Sequence, residues 1–392
     1  MMSVEMRYKA GVVQGFSPAV SGRPEGLHCI RSIVVVALLA GLAITLEGQG
    51  RGAPPAAPAG PRVGKVERVT VHGKSLEGNL EADSPDRDAT VYLPPSYLTD
   101  QARRFPVVYL MHGYGGRADT FTARLATLQE SGDRLAAAPG FSEAIVVTPD
   151  AFTLHKGSMY SNSATTGDWE RFIAEDLVAY MDGHYRTLAN RMSRGLAGHS
   201  MGGYGALRIG MKRPDVFMSL YLMSSCCLGA NRNPRPDALA ASEAIKTREQ
   251  AEEAGRSPGF GPSVSLASAA AWSPNPANPP LYLDLPVKDG KVRPDIVAKW
   301  VANAPLEMLE QYASNLKKYY AVAIEVGTSD PLLASNRQLH DALTRLRVPH
   351  AYEEYDGDHT NKVKERIERN VLPFFSKDLV APANPTSPAP QP

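Results

Sequence analysis

A serine flanked by glycines between a strand and a helix is the strongest constraint on how this chain folds. The segment GHSMGG at 198–203 lies between a predicted strand at 194–197 and a predicted helix at 201–211. The pattern G-x-S-x-G is typical of a sharp strand-to-helix turn that projects the serine hydroxyl above a sheet. Glycines on either side keep Cβ atoms out of that crowded turn. Because the bare pattern also arises by chance, its meaning depends on the side chains that follow it.

Apolar runs typical of strands alternate with amphipathic helices along most of the chain. An antiparallel pair of strands is predicted at 66–71 and 90–93, and the run PVVYLM at 106–111 suits a sheet strand covered on both faces. The series continues with strands at 144–148, 216–223, 321–326 and 351–355 and helices at 119–130, 169–185, 336–346 and 362–375. Such alternation predicts an α/β fold with a mostly parallel central sheet flanked by helices.

The alternation lapses between residues 228 and 318, just before the predicted strand at 321–326. Helices are predicted at 238–254, 294–300 and 306–317, and a loop at 257–286. An insertion at the carboxyl edge of a sheet can cover a site and shape its pocket. The alternative is an insertion with a structural role that lies far from the catalytic residues. We favour the first interpretation, a lid over the site.

Both ends of the chain are predicted to lie outside the catalytic domain at 62–380. Basic residues precede an apolar run of 14 residues at 33–46, followed by an Ala/Pro-rich linker at 52–61. The run is short for a membrane span, which needs about 20 residues, but suits the apolar region of a secretory signal. We therefore expect residues 1–61 to direct export, with an uncleaved membrane anchor as the alternative. The proline-rich tail at 381–392 is predicted to be disordered.

Composition excludes several classes of partner and cofactor. The net charge of +1 and 43% hydrophobic residues give no basic face, so nucleic acid is not an expected partner. No phosphate-binding or dinucleotide fingerprint appears, so no cofactor is expected. The cluster at 356–359 lacks a second group with metal-like spacing, so no metal is expected either. Cys226 and Cys227 are interpreted as two packed thiols, with a vicinal disulfide as the open alternative.

Two loops that follow Ser200 along the chain carry first an acid and then a base. Hydrolysis through serine needs a base for the hydroxyl proton and an acid that orients the base. Asp330 follows a predicted strand in the sequence VGTSDP, and His359 follows the next strand in DGDHT. In a parallel sheet both loops emerge at the same edge as Ser200. The order serine, acid, histidine is that of α/β hydrolases.

Other histidines and carboxylates are weaker candidates for these two roles. His199 is adjacent to the serine and should point away from its hydroxyl, and His112 is expected to make a structural hydrogen bond. Asp356 and Asp358 are too close in sequence to His359 to reach it easily. His28 lies in the leader, His72 lies in the opening strands, and His184, His340 and His350 lie at helix or strand boundaries. Glu325 alternates onto a face of the sheet.

Backbone amides for an oxyanion hole are predicted at two positions. The transition state of ester hydrolysis places negative charge on the former carbonyl oxygen, which preorganised N–H groups stabilise. One donor is the amide of Met201, directly after the nucleophile. The other is the amide of Tyr114, in the glycine-rich loop at 112–116 after PVVYLM.

These motifs together resemble the esterase D-like family of α/β hydrolases. The family includes feruloyl esterases, enterochelin-type esterases, S-formylglutathione hydrolases and mycolyl-transferase antigens. The matching stretches are LMHGYGG at 110–116, the segment 160–170, GHSMGGYGAL at 198–207, GTSDP at 327–331 and DGDHT at 356–360. The resemblance spans about residues 85 to 378 and implies an α/β-hydrolase fold.

The resemblance also implies roles for individual residues. It implies Ser200, Asp330 and His359 as the triad, with the amides of Tyr114 and Met201 as the oxyanion hole. Trp169 and Glu170 are implied to pack beneath or beside the serine turn, in a structural role more than a catalytic one.

The expected function is an exported serine esterase acting on a small-molecule or carbohydrate-linked ester through an acyl-serine intermediate. Acyl transfer to an alcohol or sugar is the alternative, since it uses the same triad. A non-catalytic envelope binding protein is a third hypothesis.

Overall fold

The computed structural model describes residues 63–257 and 260–379. The predicted leader at 1–61 and the tail at 381–392 lie outside the described residues, so these two predictions remain predictions.

Within the described ranges, eight strands form one large sheet. In chain order they are β1 (Lys65–His72), β2 (Asp86–Leu93), β3 (Val107–Met111), β4 (Ile145–Pro149), β5 (Arg194–His199), β6 (Ser219–Met223), β7 (Ala321–Gly327) and β8 (Ala351–Tyr355). Their order across the sheet is β1-β2-β4-β3-β5-β6-β7-β8. β1–β2 and β2–β4 pair antiparallel, and every other neighbouring pair is parallel. The predicted α/β class with an opening antiparallel pair is confirmed.

Helices pack on both faces of this sheet. The α-helices are α1 (Pro95–Thr99), α2 (Leu128–Ala136), α3 (Trp169–Arg171), α4 (Leu177–His184), α5 (Met201–Lys212), α6 (Pro236–Glu243), α7 (Arg248–Arg256), α8 (Ser263–Trp272), α9 (Pro294–Ala302), α10 (Pro305–Leu316), α11 (Leu333–Arg345), α12 (Val363–Arg366) and α13 (Leu372–Asp378). The π-helical turns Phe172–Asp176 and Ile367–Val371 join α3 to α4 and α12 to α13. None of the helices in the described ranges has the length and apolarity needed to span a membrane.

The central strands are apolar throughout because both of their faces are buried. In β3, Tyr109 and Met111 join the apolar cluster on one face, whereas Val108 and Leu110 join the cluster on the other. Successive side chains of a strand point to opposite faces. Because helices cover both faces of the sheet, the side chains on both faces of a central strand must be apolar, which explains the run PVVYLM at 106–111.

Two helix predictions are wrong in their extent. The helix predicted at 119–130 is instead a π-helical turn, Thr120–Arg124, followed by α2. Thr127 separates them, since its backbone is not helical (φ −120°, ψ 71°) and its hydroxyl donates to Glu130, 2.8 Å away. The helix predicted at 238–254 is two helices, α6 and α7. Thr247 starts the second with a capping box to Gln250.

The long loop predicted at 257–286 is also wrong, because it contains α8. This helix is buried on nearly every side and builds a small apolar cluster of its own with α7 and a following loop: Ala251, Leu266, Ala269, Ala270, Leu281, Leu283 and Leu285. Part of the segment 228–318 thus has a small core of its own, whereas Met308, Leu309 and Leu316 of α10 join the main apolar cluster.

Candidate active site

The turn after β5 holds Ser200 in a strained backbone conformation. Its φ of 58° and ψ of −115° lie in a region that non-glycine residues rarely adopt. The Ser200 amide donates to the carbonyl of Met223 at 2.9 Å, which anchors the turn to β6. A Cβ atom at Gly198 would overlap the backbone of Gly202, and one at Gly202 would overlap the carbonyl of Met111. Both glycines are therefore required by the close approach of β3, β5 and α5.

The structure brings Ser200, His359 and Asp330 into one hydrogen-bonded chain. The Oγ of Ser200 lies 2.9 Å from Nε2 of His359, and Nδ1 of His359 lies 2.8 Å from Oδ2 of Asp330. The Asp330 side chain is fully buried, and His359 is 21% exposed. An acceptor carboxylate at Nδ1 places the imidazole proton there and leaves Nε2 free to accept the serine proton.

Hydrogen bonds hold the Asp330 carboxylate ionised despite its burial. Burial alone would raise the pKa of Asp330, but hydrogen bonds from His359 and from the Leu332 amide outweigh it and hold the pKa below its ordinary value. The Leu332 amide donates to Oδ1 at 2.8 Å. Each carboxylate oxygen of Asp330 therefore has a hydrogen-bond partner. Oδ2 binds His359 and orients its ring, and Oδ1 binds the Leu332 amide.

The loops that carry the acid and the histidine are bound to each other. The amides of Thr328 and Ser329 donate to the carbonyls of Tyr355 and Gly357, at 2.8 and 2.9 Å. These bonds extend the parallel pairing of β7 and β8 beyond the strand ends. The distance between Asp330 and His359 is thus set by backbone contacts.

His199 contacts the histidine loop, which sequence reasoning missed. Its side chain was expected only to point away from the serine hydroxyl. In the structure its Nε2 lies 2.7 Å from the carbonyl of His359, and the centroids of the two rings lie 4.7 Å apart. Burial, and then the neighbouring His359, lower the pKa of His199 to about 4. The neutral ring donates from Nε2 to the carbonyl. No sequence spacing signals this contact, since it joins residues 160 positions apart.

The glycine-rich loop after β3 is fixed by hydrogen bonds of its own. His112 donates from Nδ1 to the Gly113 carbonyl and accepts at Nε2 from the Ala151 amide, at 2.8 and 2.9 Å, which confirms its expected structural role. The Gly115 amide donates to the Lys156 carbonyl at 3.0 Å. The loop thereby holds Tyr114 at the wall of the cavity that Ser200 and Met201 also line.

Ser200 opens onto two cavities of different character. One, of about 250 Å³, is lined mainly by apolar groups: Tyr114, Met159, Met201, Cys226, Cys227, Phe260, Val264, Pro331 and Leu332. The other, of about 270 Å³, includes the glycine-rich loop with Thr120, Arg124 and Thr360. Phe260 lines both and stacks on Tyr114, with ring centroids 5.9 Å apart. Phe260 and Val264 come from the segment 228–318, so part of this segment does shape the pocket.

Glu170 pairs with the helix that follows Ser200, and Trp169 packs on Phe172. Trp169 is buried and donates from Nε1 to the Thr166 carbonyl at 2.8 Å. Glu170 binds Arg208 and Lys212, both on α5, at 2.7 and 2.8 Å. These two ion pairs tie the helix that follows Ser200 to α3.

The other histidines and carboxylates considered above have different partners. His72 contacts Asp86 and Glu77, His184 contacts the Tyr180 carbonyl, His340 contacts His350, Glu325 pairs with Arg366, and Asp358 accepts from the Thr360 and Asn361 amides. His28 lies outside the described residues. In the part of the chain that is described, no three His, Cys, Asp or Glu side chains are grouped to hold a metal ion. Cys226 and Cys227 are free thiols, in agreement with the favoured interpretation.

Comparison with solved structures shows the fold. A ferulic acid esterase superposes with a TM-score of 0.58 at 22% identity, covering 81% of this chain and 99% of that chain. An S-formylglutathione hydrolase from Agrobacterium tumefaciens superposes with a TM-score of 0.54 at 16% identity, covering 83% and 99%. The expected α/β-hydrolase fold is confirmed.

Comparison of sequences shows the family. The family model described as "Putative esterase" matches residues 84–363. Esterase MT1326 of Mycobacterium tuberculosis is 28% identical over 285 residues, which is 69% of this chain and 51% of the relative. The chain thus spans about half the length of this curated relative. The match over residues 84–363, on an α/β-hydrolase fold that presents a Ser-His-Asp chain at its sheet edge, shows that this chain belongs to that esterase family.

Proposed function

We propose that this protein is an exported serine esterase that cleaves carboxylic esters through an acyl-serine intermediate. The observation that carries the proposal is the hydrogen-bonded chain from Ser200 Oγ through His359 to Asp330, at 2.9 and 2.8 Å. Such distances are those required between a nucleophile and its base and between that base and its orienting acid.

The geometry supports a two-step reaction. Ser200 attacks the ester carbonyl while Nε2 of His359 takes its proton, and Asp330 stabilises the resulting imidazolium. The amides of Met201 and Tyr114 stabilise the oxyanion, each contributing on the order of 3 kcal/mol. His359 then protonates the leaving alcohol. Water, activated by the same histidine, releases the acid from Ser200.

Removing the serine hydroxyl tests this proposal. We expect Ser200→Ala to abolish hydrolysis of short p-nitrophenyl esters while the thermal midpoint stays near that of the unmodified protein. Ser84→Ala, an exposed serine before β2, serves as the matched control and should retain activity. Undiminished hydrolysis by Ser200→Ala would exclude the acyl-serine route. An unmodified protein inactive on every ester would favour the non-catalytic binding protein.

Acyl transfer to an alcohol is the second candidate. The second cavity of about 270 Å³ beside Ser200 can hold the alcohol half of an ester or an acceptor alcohol, while the first cavity holds the acyl group, so the geometry suits both reactions. Adding an alcohol or sugar acceptor to a p-nitrophenyl ester reaction distinguishes the two. An acylated acceptor supports transfer, and free acid alone supports hydrolysis.

The substrate proposal is a small-molecule or carbohydrate-linked ester outside the cytoplasm. Feruloyl esters belong in the substrate panel because a structural neighbour carries the name ferulic acid esterase.

The apolar run at 33–46 supports export, with a membrane anchor if the leader is retained. N-terminal sequencing of the protein from separated cell fractions tests both: a mature start near the linker indicates cleavage, and an intact leader in the membrane fraction indicates an anchor.

A further inference from the structure

Two adjacent thiols lie at the wall of the apolar cavity beside Ser200. Cys226 and Cys227 both line this cavity, and their Sγ atoms are 2.7 Å apart. The esterase mechanism proposed above uses neither thiol. We propose that they are a redox modification site: a small-molecule disulfide converts them reversibly into a vicinal disulfide that alters this apolar cavity.

The local backbone links these thiols to the nucleophile. The Cys226 amide donates to the Ser200 carbonyl at 3.1 Å, and the same carbonyl accepts from the Tyr204 amide at 3.0 Å. Cys227 has a φ of 57°, in the left-handed region, so the chain turns sharply at the pair. A bond between the two sulfurs constrains this turn, and the strain reaches the Ser200 backbone through one hydrogen bond.

The proximity of the two residues makes the bond reversible. Adjacent Cα atoms are about 3.8 Å apart, whereas structural disulfides usually join Cα atoms about 4.4 to 6.8 Å apart. A vicinal disulfide is therefore strained, and strained disulfides are the ones that reducing agents open readily. Such a bond suits a switch better than a permanent brace.

The reaction balances with a low-molecular-weight disulfide as the oxidant. One cysteine thiolate attacks a sulfur of that disulfide, forming a mixed disulfide and releasing one small thiol. The sulfur of the second cysteine then attacks the mixed disulfide, which forms the Cys226–Cys227 bond and releases the second small thiol. The protein loses two protons and two electrons, which together are two hydrogen atoms, and the oxidant gains them.

The chemistry is measured first without any turnover. The full chain carries three cysteines, so the experiment uses a Cys29→Ser background, reduced and then treated with oxidised glutathione. We expect the denatured protein to lose both titratable thiols and its intact mass to fall by two hydrogens. Cys226→Ser and Cys227→Ala each leave one thiol in the cavity, so neither should show that mass loss. Two remaining thiols, or glutathione adducts in place of the mass loss, would overturn the proposal.

The effect on the cavity is measured second and rests on the proposed esterase function. For an octanoyl p-nitrophenyl ester we expect kcat/KM of the oxidised protein to fall by about tenfold, less than the ~10²-fold that a 1 Å misplacement of a reacting group costs. A thiol reductant should restore it. If oxidation leaves kcat/KM unchanged, the proposal that the Cys226–Cys227 bond alters the cavity is contradicted. Since mass and thiol count need no catalysis, failure of the esterase proposal is distinguishable from failure of this one.

Discussion

At the scale of single residues, the candidate site depends on two buried side chains that orient one histidine. Asp330 binds the Nδ1 side of His359, and His199 binds its backbone carbonyl. That Ser200, Asp330 and His359 lie together could be predicted from motif order, because each follows a strand of the same sheet. The contact of His199 could not, since it depends on how two distant loops pack.

Replacing the acid tests its orienting role. We expect Asp330→Asn to lower kcat by about 10³- to 10⁴-fold, because an amide no longer selects the tautomer with the proton on Nδ1. Steady-state kinetics with a p-nitrophenyl ester measure this, and the thermal midpoint should stay near that of the unmodified protein. Asp356→Asn, an exposed aspartate in the histidine loop, is the control and should retain activity. Full activity of Asp330→Asn would show that another residue orients His359.

The buried His199 predicts a dependence of stability on pH. The unfolded chain binds a proton at this residue near its ordinary pKa of 6.5, whereas the folded protein does so only near about 4. Lowering the pH from about 7 to 5 therefore favours the unfolded state, by about 2 kcal/mol from this residue. Urea unfolding at both pH values should show a smaller loss for His199→Gln, which keeps an N–H donor. The exposed His184→Gln is the control, and an unchanged loss in His199→Gln would contradict the assignment.

At the scale of elements, the sequence signal was strongest where burial is regular. Strands covered on both faces were predictable from their apolar runs, and the helical stretch 169–185 from its periodicity. α8 was missed because SVSLASAAAW is apolar or small on every side, so it lacks the polar face that reveals a surface helix. The helix predicted at 119–130 was too long because Thr127 starts a new helix.

The close approach of β3 and α5 gives a prediction for the serine turn. A Cβ at Gly202 would overlap the Met111 carbonyl, and backbone cannot move aside as a flexible side chain can. We expect Gly202→Ala to lower the free energy of unfolding by at least about 2 kcal/mol and to impair catalysis. Gly183→Ala in α4 is the matched control: its Cβ would meet no atom within 4 Å, so it should stabilise by about 0.5–1 kcal/mol. Denaturant unfolding compares them, and a neutral Gly202→Ala would contradict the packing argument.

At the scale of the whole molecule, a parallel sheet collects residues from distant parts of the sequence at one edge. β5, β7 and β8 deliver Ser200, Asp330 and His359 to that edge, which is why their order along the chain was informative. The cavity beside them was not predictable in the same way. Phe260 and Val264 reach it from the segment 228–318, close to the small apolar cluster that α7, α8 and the following loop form.

The central claim is that ester cleavage passes through a covalent bond to Ser200. The most direct test mixes the full chain with p-nitrophenyl butyrate, stops the reaction with acid within the first turnover, and maps the butyryl mass by peptide mass spectrometry. We predict that the butyryl group lies on Ser200 and that Ser200→Ala shows no adduct. Release of nitrophenol with no adduct on Ser200, or with an adduct on another residue, would contradict the account.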